Sequence, residues 1–138
     1  MTKRQQTLRV NKWVKALRSG KYAQTPDNLR HNDAFCCLGV ACDVFNPNGW
    51  DTYDNYDGEP QYLPGEVRDY FGMNSSPGYF NYNTLPDEVK ERVRALDVVS
   101  EKDEYFCGSL TYLNDNGVPF DVIADVIEAR PDGLFEEI

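Results

Sequence analysis

Apolar residues near the start of the chain recur at the spacing of one helix face. Val10, Trp13, Val14 and Leu17 fall at i, i+3, i+4 and i+7, which predicts a helix from Gln5 to Ser19. Gly20 is a natural stop, and Arg18 lies in the last turn, where the helix dipole favours a cation. Pro26 then interrupts a polar stretch, Gly20 to Asp33, that reads as a loop. The most apolar run is Phe35 to Phe45 (FCCLGVACDVF), which suits a buried strand or a buried helix. Its small residues, and Asp33 as N-cap, favour the helix; Asn46-Pro47-Asn48-Gly49 ends it.

Trp50 to Leu63 is rich in Tyr, Asp and Gly and predicts a loose β-hairpin turning near Asp57-Gly58. Pro64 opens a short helix, Gly65 to Phe71, stopped by Gly72. A loop from Asn74 to Asn83 has room for a short strand at Tyr79–Tyr82, and Pro86 opens a helix from Asp87 to Leu96. Ser109 caps a helix to about Asn116, Gly117 stops it, and Pro119 starts another that ends before Pro131, with Val122, Ile123, Val126 and Ile127 as its core stripe. These last two helices form an αα-hairpin. The expected fold is α+β and mostly α: one small domain, residues 1–138, of five or six short helices with a β-hairpin.

Composition adds limits. A chain of 138 residues, 41% hydrophobic, buries enough surface to fold without a metal or disulfide staple. No apolar run reaches the roughly 18 residues of a membrane span. Met1 to Gln6 leads into no apolar segment of the kind a signal peptide carries, so a cytoplasmic setting is expected. Net charge is −9, unevenly placed: residues 1–31 hold eight Lys/Arg and one acid, while the rest holds six bases and 22 acids. The acidic majority argues against duplex nucleic acid as a partner, where a broad basic face is needed. The basic start is either a solvated or self-docked face or a holder of a compact anion.

Few residues offer catalysis. Cys36, Cys37, Cys42 and Cys107 show no C-x-x-C, and His31 is the single histidine, so the expectation is reduced, buried thiols and no metal. Placing Gly58 or Gly117 at the sixth position of a calcium loop puts Tyr53 or Tyr112 at the first, and both fail. A thiol nucleophile at Cys36 or Cys37 would need a base from a distant segment, and His31 lies only five residues before Cys36. No phosphate-cradling glycine loop or dinucleotide fingerprint is present, so no catalytic residue and no cofactor is expected. What remains is a binding surface. Arg18, Ser19, Lys21, Tyr22 and Gln24 combine two cations, a hydroxyl, an aromatic ring and an amide at a helix end, the groups that hold phosphates and stack or read bases. Asn114 and Asp115, just before Gly117, either cap backbone amides or reach a ligand.

Four blocks in order carry a resemblance. Trp13-Val14-Lys15-Ala16-Leu17-Arg18-Ser19-Gly20-Lys21-Tyr22-Ala23-Gln24 is followed by Phe35-Cys36-Cys37-Leu38-Gly39-Val40-Ala41-Cys42-Asp43, by Leu63-Pro64 with Phe71-Gly72, and by Leu110 to Gly117 with Phe120 and Ile123 to Glu128. Over residues ~10–130 the chain resembles a family of small proteins encoded in tailed-phage and prophage genomes. The resemblance implies phage origin more than an activity, and no catalytic residue is carried over. It places the chain beside phage anti-defence "sponges", which sequester nucleotide signals without cleaving them. The expectation is therefore a non-enzymatic protein of the host bacterial cytoplasm that sequesters a small anionic, nucleotide-derived immune signal. Two alternatives stand: an acidic inhibitor of a host protein, and a small enzyme using Cys36 or Cys37. No membrane partner is expected, and a homo-oligomer stays open.

Overall fold

The first helix begins two residues earlier than its apolar stripe predicts, because Thr2 supplies a capping box. Its Oγ1 accepts from the Gln5 amide at 3.1 Å, and the Gln5 side chain accepts from the Thr2 amide at 2.8 Å. The computed structural model describes residues 1–98 and 107–138. In chain order, α1 is Lys3–Arg18, followed by strands β1 (Ala23–Gln24), β2 (Arg30–His31) and β3 (Ala34–Phe35). Next come α2 (Cys37–Phe45), α3 (Gly65–Phe71), β4 (Tyr79–Asn81), a 3-10 turn at Tyr82–Thr84 and α4 (Asp87–Arg94). The chain closes with β5 (Cys107–Ser109), α5 (Leu110–Asp115) and α6 (Phe120–Ala129). The fold is α+β and 46% helical. No described helix is long and apolar enough to cross a membrane.

Three parts of the expected architecture change. The polar stretch after Gly20 is not only loop: β3 pairs in parallel with β1 and antiparallel with β2. Such two-residue strands show no alternation to read, and the turns between them rest on positive φ at Asp27, Asn32 and Asp33. Asp33 is thus a turn residue, and Phe35 a strand residue. The N-cap of α2 is Cys36, whose Sγ accepts from the Gly39 amide at 3.3 Å. The Trp50–Leu63 segment makes single bridges, Trp50 to Tyr56 and Tyr56 to Glu59, instead of full strands. Its turn does fall at Asp57-Gly58, both with positive φ, as a two-residue hairpin loop requires. The expected strand near Tyr79 pairs antiparallel with β5.

One apolar cluster runs through all the helices. Helix α1 packs most extensively on α6 and also touches α2 and α3. Its fully buried Trp13 lies 5.3 Å from the Phe71 ring and donates Nε1–H to the Cys37 carbonyl at 3.0 Å. Helix α2 sits at the centre, buried from Cys37 to Cys42. It passes so close to the Leu29 backbone that a Cβ on Gly39 would lie 1.8 Å from the Leu29 oxygen.

The first amides of α2 need partners that its own helix cannot supply. Asn114 supplies one across 77 residues. Its Oδ1 accepts from the Cys37 amide at 3.1 Å and from Gln24 Nε2 at 3.0 Å, while its Nδ2 donates to the Thr25 carbonyl at 2.9 Å. Asn114 is 2% exposed, and its bond to the Cys37 amide is shielded from water. Asp115 does a similar but exposed task, accepting from the Asp27 amide at 2.8 Å. Asn114→Ala is expected to cost about 3 kcal/mol, roughly 10 °C in melting temperature, whereas Asp115→Ala costs about 1 kcal/mol or less. Gly39→Ala has no room for its methyl and is expected to cost about 3 kcal/mol or more. Thermal and denaturant unfolding of the three variants checks the ranking.

Candidate functional site

The residues singled out around the end of α1 come together, but largely with one another and with the core. Arg18 reaches α6: NH2 lies 2.7 Å from Asp125 Oδ1, and NH1 lies 2.9 Å from Glu128 Oε2. The ion pair holds the Glu128 carboxyl below its ordinary range. Asp125 is shared, since Arg92 NH1 of α4 pairs with its other oxygen, and Arg92 NH2 reaches Asp121 at 3.3 Å. Ser19 closes the helix end, donating to the Ala16 carbonyl at 2.6 Å and accepting from the Lys21 amide at 3.2 Å. Gln24 donates to Asn114 and to the Val118 carbonyl at 2.8 Å. Of the seven expected contact residues, Lys21 alone is an exposed charged side chain without an ion pair among the described residues.

Tyr22 anchors an aromatic chain. Its hydroxyl donates to Asp43 Oδ2 at 2.7 Å, and Trp50 Nε1–H donates to Asp43 Oδ1 at 3.1 Å. Edge-to-face contacts near 5 to 6 Å link Tyr22 to Phe35, Phe35 to Trp50 and Trp50 to Tyr56. Arg30 lies over the Trp50 ring at 4.5 Å and holds Asp54 at 2.7 Å. Burial, then the hydrogen bond to Asp43, pushes the Tyr22 hydroxyl up to about 12; burial does the same at Tyr56.

The thiols lack the setting of a nucleophile. Cys36, Cys37 and Cys42 are free and buried. Burial pushes Cys36 up to about 12, and pushes Cys37 and Cys42 well above the ordinary thiol value. Exposed His31 contacts the Asn32 side chain at 3.1 Å. The side chain of Cys107 lies outside the described residues. No group of metal-ligating side chains converges among those described.

Bonds therefore stitch the first, second and last motif blocks into one unit, and Phe71 of the third packs 5.3 Å from the Trp13 ring. Trp13 bonds the Cys-Cys helix, Arg18 the last helix, Tyr22 the Asp43 carboxylate, and Gln24 the Asn114 amide. The chain belongs to the DUF8296 family. The family model, described as "Domain of unknown function (DUF8296)", matches residues 5–131. No curated protein and no solved structure matches the chain. The DUF8296 span contains every block of that stitched unit.

Two clefts open on the surface of this DUF8296 chain. The smaller, about 400 Å³, lies between α4 and α6 and is lined by Glu88, Val89, Arg92, Asp125, Glu128 and Ala129. Its carboxylates outnumber its cations. The larger, about 850 Å³, was not foreseen; it lies where the start of α1 meets the segment after α6. It brings the cations Lys3 and Arg130, with Gln6 and Phe135, beside three carboxylates, Asp132, Glu136 and Glu137. Gln6 interrupts the apolar stripe of α1 and is 2% exposed. Its Nε2 donates to the Phe71 and Gly72 carbonyls, and its Oε1 accepts from Arg130 NH2 at 2.6 Å. Arg130 ends α6 with φ 50°, and its guanidinium sits 5.0 Å from the Phe135 ring centroid. Backbone bonds from Asn74 to Leu134 and from Glu136 to Gly72 fix the far wall. A buried polar residue on an apolar stripe was the available sequence signal. Gln6 and Arg130 lie inside the DUF8296 match, Lys3 and Phe135 outside it.

The raised tyrosine values carry a pH consequence. Below about pH 10 both folded and unfolded chains keep these protons, and the stabilisation is whole. Between about 10 and 12 the unfolded chain loses them first, so stability falls as pH rises. Tyr22→Phe is expected to flatten part of that alkaline slope, measured by denaturant unfolding alongside tyrosinate absorbance.

Proposed function

We propose that this chain is a phage-encoded binding protein that sequesters a small anionic, nucleotide-derived host signal without a covalent step. The larger cleft is the site. The observation that supports this reading is the pairing, in about 850 Å³, of two cations with an aromatic wall. That volume suits a nucleotide-sized ligand, for which pockets of about 300–1,000 Å³ are usual. Arg130 is held by Gln6 on one side and by Phe135 below, which leaves its remaining N–H groups to meet a phosphate. Lys3, at the start of the 16-residue helix α1, adds an ammonium with no ion-pair partner among the described residues. This assignment moves the ligand away from Arg18, whose guanidinium is already held by two carboxylates.

The same cleft carries Asp132, Glu136 and Glu137, which oppose an anion. They give the reading a signed test. Purified chain is incubated with cyclic nucleotides and with ADP-ribose derivatives, washed, and heated to release what it holds. Intact ligand is expected. Lys3→Glu should weaken retention about tenfold or more, and Glu136→Gln with Glu137→Gln should strengthen it. Recovery of no ligand, or of degraded ligand, overturns the reading. So does capture of only a salt-sensitive protein partner, which would favour the acidic-inhibitor alternative.

A further inference from the structure

The exposed face of α1 carries charge that the molecule itself does not use. Arg4, Leu8, Lys12 and Lys15 recur at i, i+4, i+8 and i+11, opposite the buried Val10, Trp13, Val14 and Leu17. All four are exposed, Leu8 at 54%. Arg18, Arg30, Arg68 and Arg92 each hold a carboxylate, whereas Arg4, Lys12 and Lys15 pair with none among the described residues. This is a cationic strip with an apolar centre, on a chain of net charge −9.

Its complement sits elsewhere on the same chain. Tyr53 is 84% exposed, the most exposed large hydrophobic residue among those described. It stands at the tip of a loop that is closed on itself. Asp51 Oδ1 accepts from the Tyr53 and Asn55 amides at 2.8 and 3.0 Å, and the Asp51 amide donates to the Asn55 carbonyl at 3.0 Å. Arg30 pins the loop through Asp54, and the Trp50–Tyr56 and Tyr56–Glu59 bridges form its base. Asp51, Asp57 and Glu59 of the same Trp50–Leu63 segment are exposed and have no ion-pair partner among the described residues. A rigid aromatic tip loses little freedom on docking, which is what an interface anchor needs.

We infer that the α1 strip of one copy receives the Tyr53 loop of a second copy. The three cations of the strip meet the three exposed carboxylates of the loop segment, and Leu8 meets Tyr53, so both charge and apolar contact are matched. A nucleic-acid strand fits the strip less well. It would leave Leu8 against phosphates, and no exposed aromatic residue stands on this face for base stacking. Charge pairing at the rim of such a contact is screened by salt. The inference is independent of the cleft reading, which places its ligand at Lys3 and Arg130.

Sedimentation and light scattering of the full chain, across a concentration series, test it. At about 50 mM salt the mass is expected to rise above one copy with concentration, and to fall back at about 500 mM. Tyr53→Ala should weaken association about tenfold. Lys12→Glu with Lys15→Glu should abolish it, as should Asp57→Asn with Glu59→Lys, each with an unchanged melting temperature. Mixing those two double variants should restore association, because the carboxylates now on the strip of one meet a cation at position 59 of the other, while the remaining strip and loop keep their native charges. A single-copy mass at every concentration and salt overturns the inference. So does association that ignores Tyr53→Ala and both charge changes. Binding of oligothymidylate to the strip by a chain that stays single would also overturn it.

Discussion

The buried amide of Asn114 is the contact on which the arrangement of the chain depends. One side chain of α5 accepts the amide that opens α2, accepts from Gln24 at the end of β1, and donates to the carbonyl of Thr25. Without it, the start of α2 and the Gln24–Thr25 segment would each need another partner, and the Cys37 amide would need it in a place water does not reach. The central helix could still bury its apolar run, but nothing polar would set its rotation and depth. Packing at Gly39 then sets the remaining freedom, because the Leu29 backbone sits where any larger residue would be. A polar contact fixes where the helix starts, and a steric one fixes how deep it lies.

This changes how the motif blocks are read. A run such as Arg-Ser-Gly-Lys-Tyr-Ala-Gln is rich in groups that bind phosphates and bases, and in isolation it invites a ligand. In the fold its members have taken up structural duties: a cross-helix ion pair, a helix cap, a hydroxyl on a carboxylate and an amide on an amide. Side chains capable of ligand chemistry are equally capable of satisfying backbone and carboxylate groups inside the protein. More informative are cations without an ion pair among the described residues, such as Lys3 at the cleft and Arg4, Lys12 and Lys15 on the outer strip.

The helices were legible because their signals are local. Val10, Trp13, Val14 and Leu17 mark α1, the Val122–Ile127 stripe marks α6, and Gly72 and Gly117 end their helices with φ 67° and 82°. The small sheet was hidden, since strands of two residues carry no period and their turns depend on Asp and Asn with positive φ. The helix boundary at Cys36 was displaced because a thiol, not the nearby Asp33, supplies the cap. The larger cleft was illegible for another reason: Gln6 and Arg130 lie 124 residues apart, and only tertiary packing joins them. The Gln24–Asn114 pair, 90 residues apart, is the same case.

The docking of α1 on α6 has a kinetic meaning. The packing of α1 on α6, and the Arg18 ion pairs, join the first helix to the last. Closing so long a loop adds only slowly to the entropy cost, but it raises the contact order and ties completion of the core to the last helix. On the ribosome the apolar side of α1 must wait while more than a hundred residues follow it out of the exit tunnel. During that interval, of the helices it packs on, only α2 and α3 have emerged to cover part of its apolar side. The stage at which this chain is most exposed to aggregation thus precedes the emergence of α6.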